Sequence, residues 1–420
     1  MNQLPVEVCE EIFKNLNLQG VLSARRTCRR WRQIVDGSPA LMSRIHLKPP
    51  LSLMDRSCKP ICSIPARGVT LKDTTVLTID SWWKSIGPEL TFLRLENCVI
   101  STETLVALLR KTPNLKYLSY ACDNDVAETE SDFTLDKLEQ LEVYSAQTQI
   151  LDIFDRICPR LKQFRFGQSQ NDRKLGEFLQ KKKSSLEIVQ LISVENILAD
   201  VLQLKALTSL DVQADTFGNE TLEQIGAALP TLSNLRVTLQ WQPSTLSPTF
   251  LNLMPELKSL TIFGQYRQNS PILAEFGNLE GLTKLKKLHL TQVKPSNLKE
   301  FLQKSDHFCD LTLHYCHFND WSEIFTLFAS LQSLERLDFG KIRTPTADII
   351  VSDFFRTLKY LKIAHCYLSL ETLKSFTEHC ENLMEVDFNF KYILDGEIVR
   401  SLCRTWKKSE NVDISKLYEH

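Results

Sequence analysis

Five side chains able to ligate a metal crowd into residues 307–317: His307, Cys309, His314, Cys316 and His317. Imidazole and thiolate are zinc ligands, but a site needs three or four of them converging at about 2.0–2.3 Å. Leu311 and Leu313 alternate as on a short strand, which turns Cys316 inward and His314 to the opposite face. Cys58 and Cys62 have no second pair nearby. The chain lacks a Walker loop, a dinucleotide-binding glycine pattern, G-x-S-x-G and H-E-x-x-H. No cysteine stands in surroundings that mark an activated thiolate. The expectation is a protein with no catalytic residue, no metal site and no cofactor, not an enzyme, whose chemistry is recognition.

The bulk properties narrow the partners. At 420 residues the chain exceeds one ordinary compact core, so two domains or an elongated array is expected. Its 50 basic and 51 acidic residues leave a formal net charge of -1, no field to draw nucleic acid or an anionic membrane. No stretch approaches the roughly 18–20 apolar residues of a membrane helix. The start, MNQLPVEVCEEIF, has no basic region followed by an apolar core. With 12 cysteines scattered in apolar surroundings, this leads to the expectation of reduced thiols in a cytoplasmic or nuclear protein.

The elements that must position any binding residue recur. The pattern L-x-x-L-x-L, with other apolar residues allowed, appears as Leu90-Leu93-Leu95, Leu115-Leu118-Tyr120, Leu138-Leu141-Val143 and Leu161-Phe164-Phe166. It continues through Leu186, Leu207, Leu232, Leu257, Leu285, Phe308, Leu334, Leu358 and Leu383, about thirteen units at steps of roughly 21 to 28 residues. A weaker unit, Thr74-Leu77-Ile79, precedes them. Between the strands lie helical stretches such as Ser101–Lys111, where Leu105, Leu108 and Leu109 form one apolar stripe, and Ser369–His379. The period is that of leucine-rich repeats. A single unit cannot bury both its strand and its helix, whereas stacked units can. The fold expected is an α/β leucine-rich-repeat solenoid, a horseshoe with parallel strands on the concave face and helices on the convex face. Cys98, Cys316 and Cys366 after their strands, with Cys158 and Cys380 at unit starts, resemble the cysteine-containing class of these repeats.

Residues 1–47 do not fit the period. They carry three short helical patterns: Val8, Ile12 and Leu16 with Phe13 alongside; Val21-Leu22 after a break at Gly20; and Cys28, Trp31, Ile34 and Val35, closed by Asp36-Gly37 and Pro39. Leu4-Pro5, Glu7-Val8, Ile12-Phe13, Leu16, Leu18, Leu22, Cys28-Arg29-Arg30-Trp31 and Leu41 resemble the F-box. Thr27, Ala24 and Arg26 depart from that family's pattern. The resemblance implies a small all-α F-box that binds the Skp-type adaptor of a cullin-based ubiquitin ligase, with the repeats holding a protein substrate. By the same resemblance Leu4, Pro5, Ile12, Phe13, Leu16 and Leu18 are the adaptor contacts. Cys28 and Trp31 read as core. The organisation expected is an F-box over 1–47, an irregular proline-bearing connector over 48–68, and the repeat array with a cap over 69–420.

In each strand the positions between the buried ones face outward. Aromatics and arginines there mark an interface, because such residues dominate hot spots. Phe92, Arg94, Tyr117, Tyr144 and Arg165 are therefore the expected substrate-binding residues. Phe263, Lys287, His289, His314 and Arg336 form a more basic alternative suited to an acidic or phosphorylated ligand. Cys122–Asp132 reads as an acidic surface loop in place of a helix, and Gln180–Lys183 as a solvated helix end. Two readings stand: a substrate receptor of an SCF-type ligase, or a repeat scaffold or inhibitor outside ubiquitin chemistry.

Overall fold

The structure, a computed structural model, describes residues 4–42, 46–47, 67–77, 79, 81–122, 126–127, 129–145, 147–167, 172–192, 196–214, 218–239, 245–264, 271–277, 282–342, 357–364, 382 and 385–389. The connector at 48–66, the Cys58/Cys62 pair and the Ser369–His379 stretch lie outside them. Two compact units divide the chain: residues 1–192 with 199–206, and residues 193–198 with 207–420.

The first unit opens on four helices: α1 (Val6–Lys14), α2 (Leu18–Thr27), α3 (Arg29–Gly37) and α4 (Pro39–Met42). Pro5 stands at the N-cap of α1, where its missing N–H leaves no bond unmade. The apolar stripe read from the sequence, Val8-Ile12-Leu16, is not the face α1 buries. Cys9 and Phe13 go inside at 2% and 3% exposure, and Val8 and Ile12 stay 43% and 38% exposed. Both pairs are four residues apart, on neighbouring faces of one helix, and the position of α3 selects between them. Phe13 meets Trp31 edge-on at 5.2 Å, and Val21, Ala24, Ile34, Val35, Leu41 and Met42 complete the core. Arg25 grips Asp36 through two bonds of 2.6 and 3.1 Å, joining α2 to α3.

Gly20 is not a helix break, as the sequence suggests, but lies within α2. The break falls just before, where the Asn17 side chain accepts the Gly20 N–H at 2.8 Å and caps the helix. A Cβ on Gly20 would sit 3.0 Å from the Leu16 Cβ, so this close approach is what the glycine permits.

Strands then stack in parallel. His46–Leu47 pairs with Gly68–Val69, so the tail of the helical segment already belongs to a ladder. Gly68–Lys72 pairs in turn with Phe92–Glu96. The extra unit is therefore centred on Val69 and Leu71, both fully buried, and not on Thr74-Leu77-Ile79; Leu77 is 69% exposed. The signal was weak because no leucine precedes Val69 at the usual place. Tyr117–Ala121, Gln140–Val143, Gln163–Phe166 and Ile188–Ile192 continue this ladder residue for residue.

The second unit carries its own parallel strands: Ser209–Ala214, Asn234–Leu239, Ser259–Gly264, Lys287–Thr291, Asp310–His314, Arg336–Gly340, Tyr360–Ala364 and Glu385–Asn389. In both units the apolar pattern positions from Leu90 to Ile363 are at most 2% exposed. Each such burial stabilises by about 1.5–3 kcal/mol, which makes the period itself the fold's main support.

Behind the ladder of the first unit lie Thr102–Arg110, Ile150–Ile157 and Asp172–Lys181; behind that of the second, Asn219–Ala228 and Trp321–Ala329. Ser101 caps its helix by accepting the Thr104 N–H at 3.2 Å. Not every unit holds a helix there. Thr245–Leu246, Ile272–Glu275 and Val293–Ser296 form a small second sheet instead. Pro295 lies on its edge strand, where no ladder donor is missed.

Two of the cysteines after the strands, Cys98 and Cys316, are structural. Asn97 and Tyr315 leave their strands at φ near 50°, and the next residues, Cys98 and Cys316, turn inward. Their thiols donate to the carbonyls of Leu71 and Leu290 on an earlier strand, each at 3.4 Å. Burial pushes the Cys316 thiol up to about 12, so it stays protonated. The Gln180–Lys183 end is not simply solvated: Lys182 is 7% exposed and bonded to Asp155 on the helix before.

Trp83, 1% exposed, donates its indole N–H to the Leu108 carbonyl at 3.1 Å. Trp83→Phe keeps a ring but leaves that carbonyl without its indole donor. It should cost about 1–3 kcal/mol, read as a lower urea midpoint at an unchanged slope.

Candidate functional site

On the open face of the first unit, strand register places Phe92 beside Tyr117, and their rings stack at 4.5 Å with planes 2° apart. Arg94 donates to the Tyr117 hydroxyl at 3.2 Å and lies 3.5 Å from Glu96. On strand Gln163–Phe166, Arg165 donates to the Tyr144 hydroxyl at 3.1 Å and faces Glu142 at 3.4 Å, and it also donates to the Gln190 side-chain amide oxygen. The Tyr144 ring covers Gly167, where a Cβ would come within 2.8 Å of it.

Glu142 links the two groups. The Tyr117 phenol is raised first by burial and then by Glu142, despite the Arg94 bond. The Arg94 guanidinium is raised chiefly by its bond to Tyr117, with Glu96 and Glu142 adding to it. All five residues expected for substrate binding thus line one face. Between Tyr117 and Ile188 that face sinks into a hollow of about 110 Å³. Gln140 and Gln163 border it, two neutral side chains that neither aromatic nor charged character marks in the sequence.

The basic alternative in the second unit is neutralised. Arg236 lies over Phe263 at 4.6 Å and within 3.7 Å of Asp211. Lys287 and Arg336 share Asp310 at 3.5 and 4.0 Å, and His314 meets Asp338 at 2.7 Å. Burial, the neighbouring His314 and Arg236 push His289 down to about 4, which keeps its ring neutral at neutral pH. The interleaved aspartates remove the field an acidic or phosphorylated ligand needs. The His307–His317 cluster does not converge; among the described residues no group of three such side chains stands together to hold a metal. Among the described residues no helix is long and apolar enough to cross a membrane.

On the N-terminal helices, Pro5, Ile12 and Leu18 are exposed, and Leu4 and Leu16 pack partly against the core. Phe13, expected as an adaptor contact, is 3% exposed and packs edge-on against Trp31. Val6 and Val8, 48% and 43% exposed, extend the apolar surface. Trp31 packs against the core, and Cys28 caps α3 by accepting the Trp31 N–H at 3.5 Å.

Residues 1–48 match the F-box-like family model. No curated protein is matched. Among solved structures, an internalin (inlF) from Listeria monocytogenes str. 4b F2365 is similar with a TM-score of 0.46 and 15% identity, over 76% of this chain and 86% of that one. The chain in a TLR13–ssRNA13 complex is similar with a TM-score of 0.41 and 13% identity, over 81% of this chain and 57% of that one. The repeat architecture stands on the period and the strand register. This is an F-box-like segment followed by leucine-rich repeats. Both are protein-interaction modules and typically non-catalytic ones.

Proposed function

We propose that the chain is the substrate-recognition subunit of an SCF-type ubiquitin ligase, working in the cytoplasm or nucleus. The F-box-like segment binds a Skp-type adaptor, and through it a cullin scaffold, while the repeats hold a target protein. The observation that carries this reading is the F-box-like match over residues 1–48, on helices that leave Val6, Val8, Ile12 and Leu18 on the surface. Exposed apolar side chains grouped on one small helical segment mark a protein contact. The adaptor contacts are Leu4, Pro5, Ile12, Leu16 and Leu18, with Val8 added and Phe13 withdrawn. Five or six such residues give on the order of 10 kcal/mol before association costs, enough for a stable complex without ion pairs. The contribution to catalysis is positional: the target is held at high effective concentration near the ubiquitin carrier.

The test is binding of the full chain to a purified Skp-type adaptor by calorimetry. Val8→Asp with Ile12→Asp places two charges in the contact and should weaken binding by 100-fold or more, roughly 3 kcal/mol. Because both sites are exposed, the melting temperature should hold. Failure of the unaltered chain to bind, or equal binding by the variant, would sink the reading.

A further inference from the structure

We propose that the open face of the first unit binds an uncharged linear peptide segment, seating one aliphatic side chain in the hollow beside Ile188 and holding the segment's main chain with Gln140 and Gln163. The proposal deepens the reading of the repeats as the target-holding part and rests on it.

The hollow measures about 110 Å³. A void of about 150 Å³ in a protein interior holds benzene, so the space is on the scale of one aliphatic side chain. Its apolar surface is supplied by Ile188, 36% exposed, with the ladder residues Leu141 and Phe164 as floor.

The rim then selects what surrounds that side chain. Gln140 and Gln163 are register partners on neighbouring strands, about 4.8 Å apart by sheet geometry. Among the described residues neither side-chain amide has a hydrogen-bond partner, whereas Gln190 is already engaged by Arg165. Each free amide offers two donors and an acceptor. In an extended chain the N–H and C=O of one residue emerge on the same edge, so two neighbouring amides can satisfy both without reading the side chain.

Charge gives the third constraint. The first outward position of successive strands runs Phe92, Tyr117, Gln140, Gln163, Ile188, with no acid or base along it. The nearest ions, Glu142 and Arg165, already face each other at 3.4 Å. A charged residue entering here would shed water and find no free countercharge. The complement is a neutral segment, in contrast to the acidic ligand considered for the second unit.

The experiment selects a phage-displayed random dodecapeptide library on the purified full chain, and then measures one selected peptide, synthesised, by fluorescence anisotropy. Expected are peptides bearing Leu, Ile, Val or Met among uncharged residues. Ile188→Asp should weaken the peptide by about tenfold or more, as should the double variant Gln140→Ala with Gln163→Ala. Gln163→Glu, which adds charge without removing volume, should act in the same direction. All three side chains face solvent, and unchanged melting curves and unchanged adaptor binding show that the fold is intact. Enrichment of acidic or basic peptides, no enrichment at all, or binding that these substitutions leave within twofold would overturn the proposal. An unaltered chain that binds such peptides but no Skp-type adaptor would instead remove the ligase reading and leave this site standing.

Discussion

Phe13→Ala should unfold the N-terminal helices, while Ile12→Ala, one residue earlier, should leave them folded. Phe13 is 3% exposed and its ring supports Trp31 edge-on at 5.2 Å. Its removal deletes the largest buried group of a core made of little more than Cys9, Val21, Ala24, Ile34, Val35, Leu41 and Met42. Truncating a buried phenylalanine costs about 3–5 kcal/mol, and a core this small holds little in reserve. Ile12 is 38% exposed in the middle of α1, so alanine there removes little buried surface and favours the helix. Amide hydrogen exchange over residues 6–42 of the full chain separates the two variants: protection lost in one, kept in the other. Both should weaken adaptor binding, Phe13→Ala by unfolding and Ile12→Ala by removing a contact. Exchange therefore has to be read alongside binding.

Asp155→Ala should destabilise the first unit by about 2–4 kcal/mol, with the effect depending on pH. The Lys182 ammonium bonds to the Asp155 carboxylate at 3.1 Å and to its main-chain carbonyl at 2.8 Å, and Lys181 reaches the same carboxylate at 2.9 Å. Lys182 lies at 7% exposure near the Phe178 ring, so removing its counterion leaves a charge without water. A fully buried pair would cost about 3–5 kcal/mol to break, and the 17% exposure left to Asp155 places this one somewhat lower. Burial opposes ionisation of Asp155, but the bonds and charges of Lys181 and Lys182 outweigh it and hold the carboxyl below its ordinary value. Folding therefore favours the ionised form. That stabilisation is fully present above the unfolded-state value near pH 4, and it is lost as the pH falls through the lowered folded value. Urea midpoints from pH 6 down to pH 3 should fall more steeply for the unaltered chain than for Asp155→Ala. Lys182→Met with Asp155→Ala, which removes both charges, should recover part of the loss.

These two cases share a cause. Val8-Ile12-Leu16 and Cys9-Phe13 are both helical stripes, and nothing local in α1 says which one meets α3. Likewise Gln180–Lys183 has the composition of a solvated helix end. Only the stacking of Asp172–Lys181 on Ile150–Ile157 brings Asp155 under Lys182. Periodicity reports that a face is apolar or charged, whereas a neighbour in space decides whether that face is inside.

The open face shows the same division at the site. Phe92, Arg94, Tyr117, Tyr144 and Arg165 could be placed on one side of their strands from two-residue alternation, because a strand's geometry leaves no other choice. Their mutual engagement, the stacked rings and the Glu142 link could not, since these depend on register between strands some 25 residues apart in sequence. The basic cluster illustrates the opposite outcome. Lys287, His289, His314 and Arg336 read as a positive field until register sets Asp310 and Asp338 among them.

The sequence by itself determined the repeat and its step, the inward positions of the twelve described units from Leu90 to Ile363, and an F-box-like start. Each of these follows from apolar spacing or from a local motif. The tertiary structure alone decided which face of α1 is spent on the core. It also drew Val69 and Leu71 into the ladder as an additional unit, and opened a hollow between Tyr117 and Ile188 bordered by Gln140 and Gln163. The reason is physical: burial and pairing are properties of neighbours across space, and one chain segment does not carry its neighbour's coordinates.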